Sequence, residues 1–323
     1  GLRNVVIAYQ KMFREAGIPS YLTTLHFDEN LKYDEPVVEY PHIIGSGFTF
    51  NLFYDAAFSY PKIQFLYPKD YKNTLKIYNT TLLKPKKTHA FVIIHDLYFD
   101  ESPIRAIRLK HRYILNYMKK HGIPFITVSN YTAEKLRKIG LDGVVIHPLP
   151  YDLYPPSQKE NIILMVGSQD ARKNVEFMNT FTSPSFLDHA KYLPAKVGGG
   201  LRFGENLFDI SNDELDKLYT KAKFLLFPSY DEGFGLPVLE ALLHRCIVIS
   251  NDIPTSREID MGENIIEFID VKNPSGVFPD VASFLDRIQD RRRDYDAWFS
   301  KYRRMANDDV RKFVEYAEKR GWI

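Results

Sequence analysis

The first half of the chain alternates apolar runs of strand length with longer amphipathic segments. Residues 3–16 carry apolar side chains at helical spacing and Gly17 supplies a stop, so this segment predicts a helix. Strand-like runs and helical patterns then follow at Tyr21–Phe27, Phe91–His95, Ile104–Lys120, Pro124–Ser129, Thr132–Ile139 and Gly143–Ile146. Strands that alternate with helices of this length predict parallel βαβ units.

The second half repeats this alternation after a break that is rich in proline. The break, residues 148–156, is aromatic and polar, which is typical of a linker between domains. Strand-like runs and helical patterns resume at Ile162–Val166, Asn174–Thr180, Lys196–Val197, Asp213–Lys221, Phe224–Phe227, Leu236–Leu243, Ile247–Ile249 and Ile265–Ile269. We therefore predict an α/β protein with two doubly wound, Rossmann-like domains that face each other across a ligand cleft.

The linker sets the predicted domain boundaries. The first domain covers residues 1–152 and the second covers residues 153–308. A C-terminal helix, predicted over roughly residues 309–323, packs back on the first domain.

The composition places the chain among soluble globular proteins. Its 323 residues suffice for two domains, with 45% hydrophobic and 26% charged residues. No apolar run approaches the roughly 20 residues that span a bilayer, and no signal-peptide pattern precedes the first helix. Cys246 is the only cysteine, which excludes an intramolecular disulfide and a zinc site made of cysteines. We therefore expect a cytoplasmic protein.

The two halves of the chain differ in charge. Residues 1–155 contain 20 basic and 14 acidic residues, whereas residues 156–323 contain 23 and 27. A basic half could attract an anionic acceptor or a membrane surface, and the alternative, which the pattern favours, is lysines scattered over a solvated surface. The run Arg291–Arg293 lies among aspartates, so we interpret it as surface charge and expect no nucleic-acid partner.

The most informative segment is residues 228–241, Pro-Ser-Tyr-Asp-Glu-Gly-Phe-Gly-Leu-Pro-Val-Leu-Glu-Ala, where a strand-like run meets a helix. Its glycines let the backbone approach a ligand closely, and Pro237 suits the first helical turn. The amides around Gly235 and Leu236 would face an anion with the helix dipole behind them, which predicts a diphosphate site. Glu240 lies one turn further, where a carboxylate can accept ribose hydroxyls. The alternative is a capped surface helix after a glycine-rich turn.

This segment resembles the Glu-x7-Glu motif of retaining GT-B glycosyltransferases, a family that includes sucrose synthases and bacterial lipid mannosyltransferases. The resemblance in layout covers nearly the whole chain and implies a GT-B fold. It implies that Glu232 contacts the donor sugar and stabilises the positive charge at its anomeric carbon, while Glu240 holds the ribose. It also implies that the diphosphate is lined by Gly233, Phe234, Gly235 and Leu236.

A second segment, residues 166–174, lies between the first strand and the first helix of the second domain. The resemblance implies that Lys173 neutralises the donor diphosphate as the glycosidic bond breaks. The family often has an arginine directly after the glycine that matches Gly167, whereas this chain has Ser168. Arg172 or another residue then compensates, or phosphate binding is weaker. A solvated lysine at a helix start is the alternative for Lys173.

The first domain supplies the remaining candidates. The resemblance implies that His95, at the end of a strand, reaches the donor sugar or phosphate, and a satisfied core histidine is the alternative. Ser129 and Thr132 resemble the start of a helix on the acceptor side, although the same pattern caps a helix. The family usually has a Gly-Gly-x-Gly loop beside the acceptor. The sequence starts at Gly1, which we place on the acceptor side, and the preceding strand is missing or lies outside the given sequence.

Two departures from the family concern the nucleotide base. Arg245 stands where a glycine follows the helix of Glu240, and Phe208 stands where a glycine is expected near the base-binding loop. These changes weaken the prediction of base recognition and leave the diphosphate site intact. Ile210, beside this loop, is counted among the donor-binding residues.

The predicted reaction moves a sugar from a UDP- or GDP-sugar to a sugar, lipid-linked or protein acceptor, with retention of configuration. The resemblance implies that no metal is required, because protein cations and amides take that role, and no cofactor is expected. Asp294 and Asp296 match the Asp-x-Asp pattern of metal-dependent enzymes, but no apolar strand precedes them, so we interpret the match as chance. The alternatives are a GT-B-fold sugar-nucleotide epimerase or phosphorylase, and a non-catalytic sugar-nucleotide-binding protein.

Overall fold

The protein consists of two compact units. The computed structural model describes residues 2–18, 21–24, 38–39, 62–64, 76–78, 89–98 and 104–322. Unit 1 comprises Gly1–Tyr151 together with Arg303–Ile323, and unit 2 comprises Asp152–Tyr302. The helix that contains Tyr302 and Arg303 contributes residues to both units.

Unit 1 is built on a mixed sheet with the strand order β2-β1-β3-β4-β5-β6-β7. Its described helices are α1 (Leu2–Glu15), α2 (Arg105–His121) and α3 (Asn130–Lys138). Its strands are β1 (Tyr21–Thr24), β2 (Val38–Glu39), β3 (Lys62–Gln64), β4 (Lys76–Tyr78), β5 (Ala90–Ile94), β6 (Phe125–Thr127) and β7 (Gly143–Val145). Strands β4 to β7 run parallel as predicted, but β3 pairs antiparallel with both β1 and β4. The sequence did not predict β3, a strand too short to show a hydrophobic period.

The core of unit 1 forms where β5 meets the helices that follow it. All five residues of β5 are buried, which explains why its sequence is a continuous apolar run rather than an alternating one. Helix α2 buries Ile114 and Met118 against this strand, and α3 buries Leu136 in the same cluster. Each such side chain contributes about 1.5–3 kcal/mol by leaving water. Helix α2 ends at Gly122, whose left-handed conformation suits a helix C-terminus.

Unit 2 is a doubly wound parallel sheet with helices between its strands. The strands are β8 (Glu160–Val166), β9 (Leu193–Val197), β10 (Glu205–Leu207), β11 (Ala222–Phe227), β12 (Ile247–Asn251) and β13 (Ile266–Ile269). The helices are α4 (Val175–Phe181), α5 (Asn212–Lys221), α6 (Leu236–Leu243), α7 (Pro254–Asp260), α8 (Val281–Gln289) and α9 (Tyr295–Glu318).

The strand order of unit 2 locates its expected ligand site. The order is β10-β9-β8-β11-β12-β13, and every pair is parallel. Counted from β8, this is the order 3-2-1-4-5-6 of dinucleotide-binding domains. The chain reverses its direction of winding between β8 and β11, so a crevice forms at their carboxyl ends. In open α/β sheets, ligands bind at this switch point.

The last helix is longer than predicted. Helix α9 begins at Tyr295, whereas the sequence predicts a helix over roughly residues 309–323. Charged residues precede Trp298 and conceal an apolar stripe at every fourth position of the helix. The stripe is buried and consists of Trp298, Tyr302, Ala306 and Val310. In unit 2, Trp298 donates a hydrogen bond from Nε1 to the carbonyl of Ile259 (2.8 Å). In unit 1, the ring of Phe313 lies 5.0 Å from that of Phe91.

Candidate active site

Two loops meet at the carboxyl ends of β8 and β11. We call residues 167–174 the β8 loop and residues 228–235 the β11 loop. The strands before them are hydrogen-bonded neighbours, so the loops emerge side by side. The backbone N–H of Tyr230 donates to the carbonyl oxygen of Arg172 at 2.8 Å, which joins the loops. Both segments that the sequence selected for the donor therefore lie at one place.

A buried ion pair is the centre of this site. Nζ of Lys173 lies 2.5 Å from Oε1 of Glu232, and the two side chains are only 15% and 10% exposed. The ammonium also lies 5.6 Å from the centre of the Phe227 ring. In such a poorly hydrated place each charge depends on its partner, because an unpaired buried charge is costly. The structure thus brings together two residues to which the sequence assigned different parts of the donor.

The β11 loop ends in an open helix N-terminus. Gly235 has φ +103° and occupies the N-cap position of α6, where no side chain caps the helix. Its carbonyl accepts hydrogen bonds from the N–H groups of Val238 (2.9 Å) and Leu239 (3.3 Å). Pro237 lies in the first turn, as predicted. This terminus presents a positive dipole end and suits an anion.

Not every predicted donor residue in this loop can present its side chain. Phe234 is 4% exposed and belongs to the core, so only its backbone is available. Gly233 is half-buried, and Leu236 is half-buried at the first position of α6. A role for these three residues therefore rests on their main chain.

Glu240 lies in α6 and is buried to 7% exposure. Its Oε2 accepts a hydrogen bond from the hydroxyl of Tyr219, in α5, at 3.1 Å. The Tyr219 ring stacks on His244, whose Nε2 lies 3.0 Å from Oδ1 of Asp216. The hydroxyl of Tyr219 therefore helps to orient this carboxylate.

The β8 loop is supported by a buried lysine that sequence reasoning missed. Lys196, in β9, is completely buried, and its Nζ donates to the carbonyl oxygen of Gly167 at 2.6 Å. Burial, and then the charge of Lys173, lower the pKa of Lys196 to about 8. The signal in the sequence is a lysine inside a strand-like run between Ala195 and Val197. A cation at such a position is unusual unless it is held by specific partners.

Close backbone packing fixes Gly167 against the next strand connection. A Cβ atom on Gly198, which has φ +92°, would lie 2.4 Å from the Gly167 carbonyl oxygen. Gly167 itself has φ +150° and touches the aliphatic part of Lys173, where an added Cβ would lie 3.4 Å away. Glycine at both positions lets Lys173 pack closely over the end of β8.

The neighbours of Lys173 do not add an available cation. Ser168 is exposed, and the guanidinium of Arg172 binds both carboxylate oxygens of Asp170 at 3.2 and 3.1 Å. Hydrogen bonds and charge from Arg172 lower the pKa of Asp170. Arg172 therefore already has a carboxylate partner, which disfavours it as the cation that replaces the family's arginine at the Ser168 position. Lys196 is the better candidate for that cation.

The expected base-binding loop lies at the same edge of the sheet, after β10. Phe208 is 62% exposed, and a Cβ atom on Gly199 would lie 2.4 Å from its ring. Ile210 is half-buried and precedes Ser211, which caps α5 together with Glu214. Base recognition by this loop stays a prediction.

The candidates of unit 1 lie at the carboxyl ends of β5 and β6. His95 is half-buried, and burial lowers its pKa to about 3, so the imidazole is neutral at pH 7. Ser129 caps α3: its Oγ accepts the N–H of Thr132 and donates to Oγ1 of Thr132, both at 3.1 Å. Both hydroxyl side chains are buried, which favours capping, and an acceptor role stays a prediction. Gly1 lies outside the described residues.

Asp294 and Asp296 have structural partners at the start of α9. Oδ1 of Asp294 accepts the N–H of Ala297 at 2.9 Å, and Asp296 binds Arg245 through both oxygens at 3.0 and 2.9 Å. Among the described residues, no group of three or more His, Cys, Asp or Glu side chains could hold a metal ion. Metal independence stays a prediction.

Comparison with known proteins shows similarity to glycosyltransferases. Residues 205–275 match the model of the family described as glycosyl transferases, group 1. The chain is 28% identical over 191 residues to the O-antigen chain mannosyltransferase RfbU of Salmonella typhimurium, covering 52% of this chain and 53% of that protein. It is 24% identical over 197 residues to O-antigen chain mannosyltransferase B of Escherichia coli, covering 54% and 49%. The chain thus spans about half the length of these curated relatives.

Solved structures establish the fold. A structure of Anabaena Alr3699/HepE in complex with UDP and glucose is similar with a TM-score of 0.52 at 13% identity, covering 72% of each chain. A structure of TarM gives a TM-score of 0.51 at 13% identity, covering 81% of this chain and 64% of that one. The predicted fold class is confirmed: the chain has the GT-B fold, with two Rossmann-like α/β units.

Proposed function

We propose that this chain is a glycosyltransferase that moves a hexose, mannose in the first instance, from a nucleotide-diphosphate sugar to a glycan or lipid-linked acceptor. The observation that carries the proposal is the Lys173–Glu232 pair beside an open helix N-terminus at the switch point of a parallel sheet. The mannosyltransferase relatives support the choice of sugar.

Each group of the site has a distinct role in this proposal. The helix amides at Gly235 and the ammonium of Lys173 hold the diphosphate and neutralise the charge that it gains when the glycosidic bond breaks. Glu232 faces the sugar and compensates the positive charge at the anomeric carbon. Glu240, oriented by Tyr219, binds the ribose.

The proposed reaction retains the anomeric configuration. Lys173 assists departure of the diphosphate while the acceptor attacks from the same face of the sugar, a route that requires no protein nucleophile. The neutral imidazole of His95 binds the donor sugar or phosphate as a hydrogen-bonding group. Unit 2 is the donor-binding domain and unit 1 the acceptor-side domain.

Donor turnover and product analysis test the proposal directly. The protein is incubated with GDP-mannose, UDP-glucose and UDP-N-acetylglucosamine and a panel of acceptors, and nucleotide release and product mass are measured. Transfer is expected with one donor and is expected to survive EDTA. The anomeric configuration of the product tests retention. An epimerised donor or phosphorolysis would favour the other GT-B activities, and donor binding without product would favour a non-catalytic binder.

Substitution of the central lysine tests the assigned chemistry. Loss of one electrostatic stabiliser of a transition state typically costs on the order of 100-fold or more in turnover. Lys173→Ala is therefore expected to lower turnover on this scale, and also to lower the free energy of unfolding because buried Glu232 loses its partner. Full turnover in a folded Lys173→Ala protein would contradict the role.

We also propose that α2 touches an anionic membrane surface on which a lipid-linked acceptor lies. The helix carries six lysine and arginine residues and no acidic residue, and Leu109 and Tyr113 are 57% and 51% exposed one turn apart. Basic residues beside exposed apolar side chains are typical of helices that lie on a membrane. No described helix is long and apolar enough to cross the bilayer.

Vesicle sedimentation tests this contact. Binding is expected to vesicles of equal parts phosphatidylcholine and phosphatidylglycerol, to weaken with salt, and to be absent with phosphatidylcholine alone. The Leu109→Ser/Tyr113→Ser protein is expected to lose binding. Leu193→Ser is a matched control, because Leu193 is 51% exposed but lies in unit 2. Equal binding by all three proteins would exclude α2 as the contact.

A further inference from the structure

A second concave site lies at the opposite edge of the unit 2 sheet. Lys223 is near the start of β11 and Lys159 directly precedes β8, so this site faces away from the carboxyl ends that hold the donor loops. The cavity measures about 370 Å³, within the usual range for small-molecule sites. We call it the amino-edge pocket.

The pocket concentrates positive charge in the acidic half of the chain. Its lining contains the cations of Lys159, Lys223, Arg245, Arg291 and Arg293, against the carboxylate of Asp290 alone. Two further carboxylates pair with its arginines from outside the lining: Glu267 binds Arg291 and Arg293, and Asp296 binds Arg245. Five cations against three carboxylates leave an excess of two positive charges.

The two lysines are held by neutral acceptors. Nζ of Lys223 donates to the side-chain amide oxygens of Asn161 at 2.6 Å and Gln289 at 3.5 Å. Nζ of Lys159 donates to three backbone carbonyls and contacts the thiol of Cys246, whose pKa burial raises to about 11. The charges of these ammonium groups are therefore not cancelled by their hydrogen-bond partners.

A buried arginine supplies the most specific sign of a ligand. The side chain of Arg293 is only 3% exposed, so the prediction of surface charge is wrong for this member of the run. Its Nη groups bind Glu267 and the carbonyls of Ile288 and Arg291. Its Nε is buried without a hydrogen-bond partner. A buried guanidinium with an unused donor beside an open cationic pocket suits an anionic oxygen.

Arg245 also lines the pocket with a cation, and its backbone has a conformation that arginine seldom adopts. Its φ is +59°, a left-handed conformation at the end of α6 that favours glycine. Its side chain binds the carbonyl of Tyr154 at 2.8 Å and both oxygens of Asp296. These contacts hold its guanidinium at the wall of the pocket.

We propose that the amino-edge pocket binds a small ligand that carries a phosphomonoester or diphosphate group, through Lys223, Arg291 and Arg293. This site is separate from the donor site, and only its test, which uses GDP to occupy the donor site, rests on the proposed function. The phosphate belongs either to a soluble compound or to a lipid headgroup, which share this chemistry.

Calorimetric titration with inorganic pyrophosphate, in the presence of excess GDP, tests the proposal. GDP occupies the donor site, so remaining pyrophosphate binding reports the amino-edge pocket. The Lys223→Gln/Arg291→Gln protein is expected to lose affinity on the order of 100-fold, since it lacks two charge-assisted bonds. The Lys191→Gln/Lys301→Gln protein loses the same charge, but its lysines pair with carboxylates outside the pocket and its affinity is expected to be unchanged.

Two further measurements keep the test decisive. Circular dichroism and GDP affinity establish that the Lys223→Gln/Arg291→Gln protein, the pocket variant, is folded and that its donor site is intact. Arg291→Lys keeps the charge and is expected to retain part of the pyrophosphate affinity that the pocket variant loses. Vesicles of phosphatidic acid in phosphatidylcholine separate the sources: weaker vesicle binding by the pocket variant indicates a lipid headgroup, and equal vesicle binding a soluble phosphate. Pyrophosphate affinity that is the same in the wild type and the folded pocket variant would overturn the proposal.

Discussion

The contact between Lys173 and Glu232 changes how the two residues are expected to respond to substitution. In the sequence they serve different parts of the donor, but in the structure Nζ and Oε1 are 2.5 Å apart. The carboxylate reduces the positive potential that Lys173 offers to a diphosphate. Removal of Glu232 is therefore expected to harm sugar transfer without harming the affinity for the nucleotide alone.

The Glu232→Gln and Glu240→Ala proteins test this division of roles. Glu232→Gln is expected to bind UDP or GDP as well as the wild type or better, and to lose turnover on the order of 100-fold. Glu240→Ala removes ribose contacts in the ground state and the transition state alike, so nucleotide affinity is expected to fall. Calorimetry with the free nucleotide measures both. An equal loss of nucleotide affinity in the two variants would show that the β11 loop acts as one structural unit.

Lys196 is expected to position the β8 loop and to make nucleotide affinity depend on pH. Its pKa is about 8, so the ammonium next to Gly167 loses its proton as the pH rises through this value. A positive charge beside the proposed diphosphate site is then lost, and affinity for GDP or UDP is expected to fall above pH 8.

Lys196→Met removes this titration while filling the same buried space. The variant is expected to bind nucleotide more weakly at pH 7 and to show no further loss between pH 7 and pH 9. A merely structural role would leave the pH dependence of nucleotide affinity the same in both proteins. The free energy of unfolding, measured with urea, provides the control for folding.

The sequence predicted candidate donor-site residues, but it did not predict their contacts. Glu232 and Glu240 belong to one local motif, so the sequence could propose both as site residues, and their roles stay predictions. The pairing of Glu232 with Lys173 depends on β8 and β11 being neighbours in the sheet, which local patterns do not encode. Lys196 was missed as a site residue because a strand-like run of a few residues does not indicate which groups its side chain will contact.

Both ends of helix α6 were predicted from the sequence, although the two ends differ in their local signals. Its start at Leu236 was predicted, because Gly235 and Pro237 mark a helix N-terminus. Its end lacks the usual glycine, and Arg245 takes the left-handed conformation there. A non-glycine residue pays about 1 kcal/mol or more in this conformation.

This cost leads to a prediction for two substitutions of Arg245. Both Arg245→Gly and Arg245→Ala remove the ion pair with Asp296, which is worth little because Asp296 is exposed. Only glycine also relieves the left-handed backbone, so Arg245→Gly is expected to be about 1 kcal/mol more stable than Arg245→Ala. Urea unfolding of the two variants measures the difference. Equal stability would mean that the backbone at this position is unstrained.

At the scale of the whole molecule, alternation of strands and helices predicted the fold class, and the comparisons confirm it. The order of the strands could not be predicted from the sequence, because it depends on contacts between segments that are distant in sequence. The antiparallel β3 and the extension of α9 back to Tyr295 were also missed. Strand β3 is too short to show a pattern of its own, and the charged residues before Trp298 conceal the apolar stripe of α9.

The final prediction concerns stability in acid, which reflects the whole folded unit around His95. In the folded protein, burial keeps this imidazole neutral down to about pH 3, whereas an unfolded chain takes up the proton below about pH 6.5. Between these values the unfolded state binds more protons, so acid favours unfolding. His95 is expected to lower the free energy of unfolding by up to about 1.4 kcal/mol for each pH unit below 6.5.

Replacement of His95 isolates this contribution. Urea unfolding at pH 7 and pH 5 is expected to show a smaller loss of stability for His95→Gln than for the wild type, because the variant has no imidazole to protonate on unfolding. His189→Gln, at an exposed histidine of unit 2, is the matched control and is expected to lose stability as the wild type does. Contributions from other groups cancel in this difference. If His95→Gln and the wild type lost the same free energy between pH 7 and pH 5, the imidazole at the end of β5 would be accessible to protons in the folded protein. His95 could then take part in the reaction as an acid, rather than as the neutral hydrogen-bonding group that we propose.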